Sequence, residues 1–240
     1  RLRMEPNHLL HVDTMDFRAA RGHLGIKGYF NGSDSEHIYF KSNIRLDSVQ
    51  IDKLLLRFDN FGQDYTLNKN LQGVLTGNIR SKVYMHPDLV PILDKAEAEM
   101  NVTITQGALV DFAPMQALSG YFKDKNLRLV RFDTLSNTLT LKNGVLNIPA
   151  MNINSSLGFI EISGSQSLNL NMEYYVRVPL KMVTQIGFRY LFGGRKKEEV
   201  DPEQEDAIVY RDKDKKIAFV NIKIAGTPDD YKISLKKKKT

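Results

Sequence analysis

The chain is 240 residues long, 42% hydrophobic and free of cysteine, and it carries a formal net charge of +6. That is enough to bury a sizeable core as one elongated domain or two small ones, while the missing cysteines exclude disulfides, thiolate metal sites and cysteine nucleophiles. A positive charge gathers anionic partners, but Lys and Arg are interspersed with Asp and Glu nearly everywhere, and the longest unbroken basic run, Lys236 to Lys239, reads as a solvated tail.

The first candidate ligands are His8, His11 and Asp13, with His23 beyond them. Successive side chains of a strand alternate between faces, so His8 and His11 fall on opposite sides and no metal site is expected. Helical spacing appears from Asp47 to Phe61, where Ile51, Leu54, Leu55 and Phe58 follow the i, i+3, i+4, i+7 rule. Asp47 and Gln50 are spaced as a capping box, and Gly62 stands where the helix would stop. Strict alternation then takes over. Leu75, Gly77, Ile79, Ser81, Val83 and Met85 share one strand face; Ala96, Ala98, Met100, Val102 and Ile104 share another, opposite Glu97, Glu99, Asn101, Thr103 and Thr105. Gln106-Gly107 reads as a turn, and a short helix is expected after Pro114.

Leu139 and Leu141 run into Asn143-Gly144, a strong hairpin signal because both residues accept the positive φ of a type I′ turn. Val145 to Ile153 and Leu157 to Ile162 continue the meander, and Ser163-Gly164-Ser165 is read as the next turn. The longest alternation follows. From Leu168 to Met182 one face would carry Leu168, Leu170, Met172, Tyr174, Val176, Val178, Leu180 and Met182, with Asn169, Asn171, Glu173, Tyr175, Arg177, Pro179 and Lys181 opposite. At about 3.3 Å per residue that run spans roughly 50 Å, longer than usual strands. Val183 to Phe192 has the stripe of an amphipathic helix ending at Gly193-Gly194. Phe188, Tyr190 and Phe192, followed by Arg195, Lys196 and Lys197, suit a membrane surface, although the same segment would also serve as a capping helix. Ala218, Val220, Ile222 and Ile224 alternate, the Gly226 to Asp230 cluster turns, and Tyr231, Ile233 and Leu235 return.

These patterns predict a mainly β fold: an elongated, twisted antiparallel sheet forming an open groove, with two or three short amphipathic helices at its ends or edges. Residues 1–194 would form the groove domain, 195–216 a charged exposed loop, and 217–240 a C-terminal hairpin with a basic tail. No stretch reaches the roughly 18 apolar residues that cross a bilayer, and the chain starts at Arg1, which reads as a fragment or processed form.

Chemistry is sparse. A nucleophile elbow and a glycine-rich phosphate turn are both missing from the sequence. The acidic pairs Asp229-Asp230 and Glu198-Glu199 lie in turn-like or charged segments, where no apolar pocket would raise a pKa. Asn31-Gly32-Ser33, Asn101-Val102-Thr103 and Asn154-Ser155-Ser156 fit a glycosylation pattern that matters only in a eukaryotic secreted protein. Tyr175 beside Arg177 is the one hint of a nucleic-acid reader. The expectation is a protein that is not an enzyme, holds no cofactor or metal, and has no nucleic-acid partner.

From Leu71 to Leu180 the succession LQGVLTGNIRS, ITQGALVDFAPMQALSGYF and NLRLVRFDTLSNTLTLKNGVLNIPAMNINSSLGFIEISGSQSLNLNMEYYVRVPL resembles the C-terminal region of AsmA-like proteins of the bacterial cell envelope. The resemblance covers roughly half the chain, and a G-x-L-x-x-F-x-P turn, IPAMNINSS and a closing Y-x-V-x-V carry most of it. It implies a non-enzymatic protein of outer-membrane biogenesis and bridge-like lipid transport, periplasmic and anchored to the inner membrane by an N-terminal segment absent from this chain. The 195–216 stretch is not part of that pattern.

Two readings of the sheet follow. In one, an apolar β-groove lined by Leu168, Leu170, Met172, Tyr174, Val176, Val178, Leu180, Met100, Val102 and Ile104 shields phospholipid or other acyl chains from water, each buried methylene contributing about 0.8 kcal/mol. In the other, the chain's own helices fill that face and the domain is structural, or an adaptor pairing its sheet edges with an envelope protein. The two can hold in different parts of the chain, with the Asp47 helix plugging one end.

Overall fold

A computed structural model describes residues 1–57, 67–116, 118, 125–180, 206–212, 214 and 216–235. Twelve strands form one antiparallel sheet in which every strand pairs with its sequence neighbours, and the sheet is not closed into a barrel. They are β1 (Leu2–Glu5), β2 (Leu9–Ala19), β3 (Gly22–Asn31), β4 (Tyr39–Gln50), β5 (Leu71–Met85), β6 (Pro91–Val110), β7 (Leu129–Lys142), β8 (Val145–Ser155), β9 (Gly158–Ser167), β10 (Met172–Pro179), β11 (Phe219–Gly226) and β12 (Tyr231–Leu235). Among the described residues three short helices, α1 (Ile51–Arg57), α2 (Leu67–Asn70) and α3 (Ala113–Gln116), sit in connections. A mainly β chain with an open antiparallel sheet is what the alternation predicts.

The meander sorts its connections into two groups. Successive antiparallel strands reverse direction, so β1–β2, β3–β4, β5–β6, β7–β8, β9–β10 and β11–β12 turn at one end of the sheet and the remaining connections cross at the other. All three helices belong to the second group, α1 and α2 between β4 and β5, α3 between β6 and β7. The first group consists of hairpins. Asn143 (φ 51°) and Gly144 (φ 68°) both take left-handed backbone, as the type I′ reading requires.

Several boundaries differ from the sequence reading. The run from Leu168 to Met182 is not one strand: β10 has 8 residues, and Leu168 to Asn171 form the β9–β10 turn. Ser167 N–H donates to the Asn171 carbonyl at 2.8 Å, and Leu170 takes φ 60°. The Asn-interleaved SLNLN stretch keeps alternation while supplying turn chemistry, since Ser167 Oγ also accepts the Asn171 N–H at 3.1 Å. Ser163-Gly164-Ser165 accordingly lies inside β9, with Gly164 opposite Tyr174.

Gln106-Gly107 likewise does not turn. β6 continues through it for 20 residues, and the register against β5 slips there while Gln106 takes φ 51°, a β-bulge. Glycine is required at 107 because the ring of its cross-strand partner Phe132 occupies the space of a side chain, lying 2.0 Å from where a Cβ would be. Asp47 to Gln50 end β4 instead of capping a helix: Ser48 (φ 56°) forms a second bulge, and α1 begins at Ile51. Ile51, Leu54 and Leu55 are buried as the helical stripe predicts, and Phe58 lies outside the described residues. His8 is in the β1–β2 turn, not on a strand.

The stretch expected as an exposed loop interrupts the sheet between β10 and β11, and its described part is tethered. Asp206 accepts the Asn126 N–H at 2.8 Å and pairs with Lys125 at 3.3 Å, and Arg131 donates to its main-chain carbonyl at 2.6 Å. Val209 N–H reaches the Ser155 carbonyl at 3.0 Å. The hairpin β11–β12 completes the same sheet by pairing with β10.

Candidate functional site

One sheet face is apolar and the other charged, as period-2 alternation dictates. The apolar face is not uniform. At the helix end, Val49, Leu75, Ile104, Val130, Phe132, Ile153 and Ile160 are buried in one cluster with Ile51, Leu54 and Leu55 of α1, Met115 of α3, and Leu118, Leu127 and Leu157 of the adjoining connections. α1 packs against β4 and β5. Helical stripe and strand face thus meet, and both remove their apolar surface from water.

Four residues further along β5 and β6 the cover ends. Ile26, Ile44, Ile79, Met100 and Leu139 are cross-strand neighbours in one continuous row, and all are only half-buried. At about 4.8 Å between strands the row is roughly 19 Å long. Beyond it lies a row of short side chains, Gly28, Ser42, Ser81 and Ala98, ending at Leu141. Ser42 and Ser81 satisfy each other with a 2.7 Å hydroxyl hydrogen bond, which lets two polar groups stand on an apolar face. Val12, Ser42 and Ala96 are the buried exceptions on this half of β2 to β6. On β10 and β11 the pattern changes, with Met172, Val176, Val178, Ile222 and Ile224 buried along both strands.

The groove residues expected from sequence are therefore divided. Met172, Val176, Val178 and Ile104 are already inside the protein core, Val178 with no exposed surface at all. Tyr174 and Val102 pack against that core, and Met100 belongs to the half-open row. Leu168 and Leu170 are in the β9–β10 turn, and Leu180 follows the end of β10. The membrane-interface set Phe188, Tyr190, Phe192, Arg195, Lys196 and Lys197 lies outside the described residues. Burial raises the Tyr174 phenol to about 12, and its hydroxyl donates to Gln166.

Sequence reasoning missed Ile26, Ile44 and the use of Ile79 and Leu139 in one row. It also missed the hairpin end, where the β5–β6 tip carries Leu89, Val90 and Leu93 at 56%, 52% and 45% exposure. The signal available was four large apolar residues around Pro91, Leu89, Val90, Ile92 and Leu93, with no alternation to bury them. The β7–β8 and β9–β10 tips lie beside it: a side chain at Gly144 would meet Asp94 at 3.3 Å and Leu168 at 3.7 Å.

Among the described residues no group of three His, Cys, Asp or Glu side chains is placed to hold a metal. His11 instead faces Glu5 at 3.1 Å and Tyr29 at a ring distance of 6.0 Å. No described helix is long and apolar enough to cross a membrane. No protein-family model, curated protein or solved structure matches the chain.

Proposed function

We propose that this chain is a non-enzymatic, AsmA-like protein of the cell envelope that holds lipid acyl chains on the half-open part of its apolar sheet face. The observation that carries the reading is the row Ile26–Ile44–Ile79–Met100–Leu139, which crosses five strands without a helix over it among the described residues, whereas the same strands are covered at their other end. A chain of methylenes laid along that row would be shielded at about 0.8 kcal/mol each, with little selection of headgroup. The exposed Leu89, Val90 and Leu93 at the same end supply an apolar tip with which to meet a bilayer surface. On this reading the protein is periplasmic and works between membranes.

The test is photo-crosslinking from position 79 or 100, with position 75 as the covered control, followed by lipid extraction and mass spectrometry of protein purified without harsh detergent. Lipid adducts at 79 and 100 but not at 75 are expected. Crosslinks to the protein alone at all three positions would sink the proposal and leave the structural or adaptor reading. That second reading has its own observation, the open sheet, whose first strand β1 exposes Leu2 and Met4.

A further inference from the structure

We propose that the charged face of β3, β4 and β5 binds a phosphate or sulfate ester between Lys27, Lys41 and Lys82. The proposal concerns the face opposite the acyl row and does not depend on the lipid reading. A depression of about 690 Å³ crosses β3 to β7 there, and its lining includes Lys27, Tyr29, Lys41, Asn43, Arg80 and Lys82. Its floor is the backbone of Gly28, Ser42, Ser81 and Ala98. The next side chains along the apolar face, Ile44, Ile79 and Met100, take no part in the lining, so the depression opens on the charged side.

The charges along it are unevenly matched. Towards β6 and β7 the cations have carboxylate partners, Arg80 with Glu99 at 3.7 Å and Lys142 with Glu97 at 3.8 Å. Further along the sheet the same face pairs Arg177 with Glu161 and Lys223 with Glu173. Lys27, Lys41 and Lys82 have no carboxylate within ion-pair distance among the described residues, although Glu97 stands opposite Lys82 across β5–β6. Lys41 and Lys82 also face each other directly across β4–β5. Like charges in that position are destabilising, and an anion between them would turn the repulsion into attraction.

Lys82 is held in place for such a role. Its ammonium donates to the Tyr84 hydroxyl at 2.6 Å and lies 4.5 Å from the ring centroids of both Tyr39 and Tyr84. The hydrogen bond to Tyr84 raises its pKa, which keeps it charged. Asn31 donates to the Tyr39 hydroxyl at 3.2 Å and completes the cradle.

The rings favour an anion over a nucleobase. Tyr29 and Tyr39 meet edge-on at 71°, Tyr39 and Tyr84 are tilted at 58°, and Lys82 lies over two of the rings. Stacking of successive bases needs open ring faces. A tetrahedral oxyanion needs hydrogen-bond donors and no ring face, and Lys27, Lys41, Lys82 and Asn43 stand at adjoining positions of this one face.

Titration calorimetry at low and high salt would test this with three probes: inorganic phosphate, a soluble phosphorylated disaccharide and phosphatidylglycerol vesicles. Lys41→Gln and Lys82→Gln should each weaken binding about tenfold, as expected for loss of one charge-assisted hydrogen bond, whereas Lys232→Gln on the same face of β12 should not. Lys41→Gln should not lower the melting temperature, because it removes a like-charge contact across β4–β5, and this separates lost binding from lost fold. Binding of all three probes identifies the phosphate group itself as the ligand, and binding of vesicles alone identifies a lipid headgroup. Equal weakening by Lys232→Gln, or no saturable binding of any probe, would overturn the site.

Discussion

The two ends of the apolar sheet face are made from the same strands by the same alternation, yet one is core and the other a half-open surface. On β5 the change takes four residues, from buried Leu75 to half-buried Ile79, and on β6 it takes another four, from Ile104 to Met100. Strand sequence does not distinguish the ends, since each presents large apolar side chains. The connections do: at one end they contain α1, α2 and α3 with Leu118, Leu127 and Leu157, and at the other they are hairpins. An open sheet can thus be plugged at one end by the apolar residues its connections carry there.

If that contrast is real, truncation should cost very different amounts at the two ends. Leu75→Ala removes a side chain enclosed by β4, β6 and α1, and should destabilise by about 2–5 kcal/mol in urea denaturation. Ile79→Ala should cost markedly less, about 1 kcal/mol, because its site is already half in water. Equal losses would mean that the upper row is as enclosed as the lower. A second cut at the plugged end is Asp206→Ala, which strips the buried Asn126 N–H of its acceptor and Lys125 of its partner. It should lower stability by about 1–3 kcal/mol, while Asp34→Ala, on an exposed turn at the hairpin end, should leave the unfolding midpoint in place.

How much of this was legible in the sequence depends on what each feature needs. Face assignment needs only parity, so Met172, Tyr174, Val176 and Val178 were placed together correctly, and the Asn143-Gly144 turn was readable because its residue types answer a local backbone demand. Bulges share the vocabulary of turns and caps: Gln106-Gly107 reads as a turn and Asp47 as a helix cap, yet Gln106 and Ser48 take a positive φ within strands that continue. The extent of cover over the face could not be read, since α1, α3 and Leu118, Leu127 and Leu157 come together over the strands only after the register is set. The meeting of Lys41 and Lys82 is of the same kind, two ordinary outward lysines until β4 and β5 align.

Alkaline titration sharpens the comparison at the far side of the sheet. Tyr174 stands on the apolar face where β10 is buried along its length, and its phenol is raised to about 12 against 10.0 in an unfolded chain. The neutral form is the one the fold favours. Its contribution is complete below pH 10 and is lost as pH rises from 10 towards 12, for about 3 kcal/mol in all. Tyr174→Phe should flatten that part of the stability curve, measured by denaturation at successive pH values. A slope unchanged in the variant would assign it to other groups.

The smallest expected effect on stability is also the most telling for the open end. Leu89, Val90 and Leu93 already face water, so Leu89→Ser and Val90→Ser should change stability by no more than about 0.5 kcal/mol. If this hairpin is the part that meets a bilayer, the same double variant should nevertheless lose vesicle flotation, because removing two exposed apolar side chains removes the surface that would enter the interface. Substituting Leu2 and Met4, which are equally exposed but on the sheet edge, supplies the control. Loss confined to the β5–β6 tip would tie membrane contact to the unplugged end, and equal flotation of all variants would detach the open face from any bilayer.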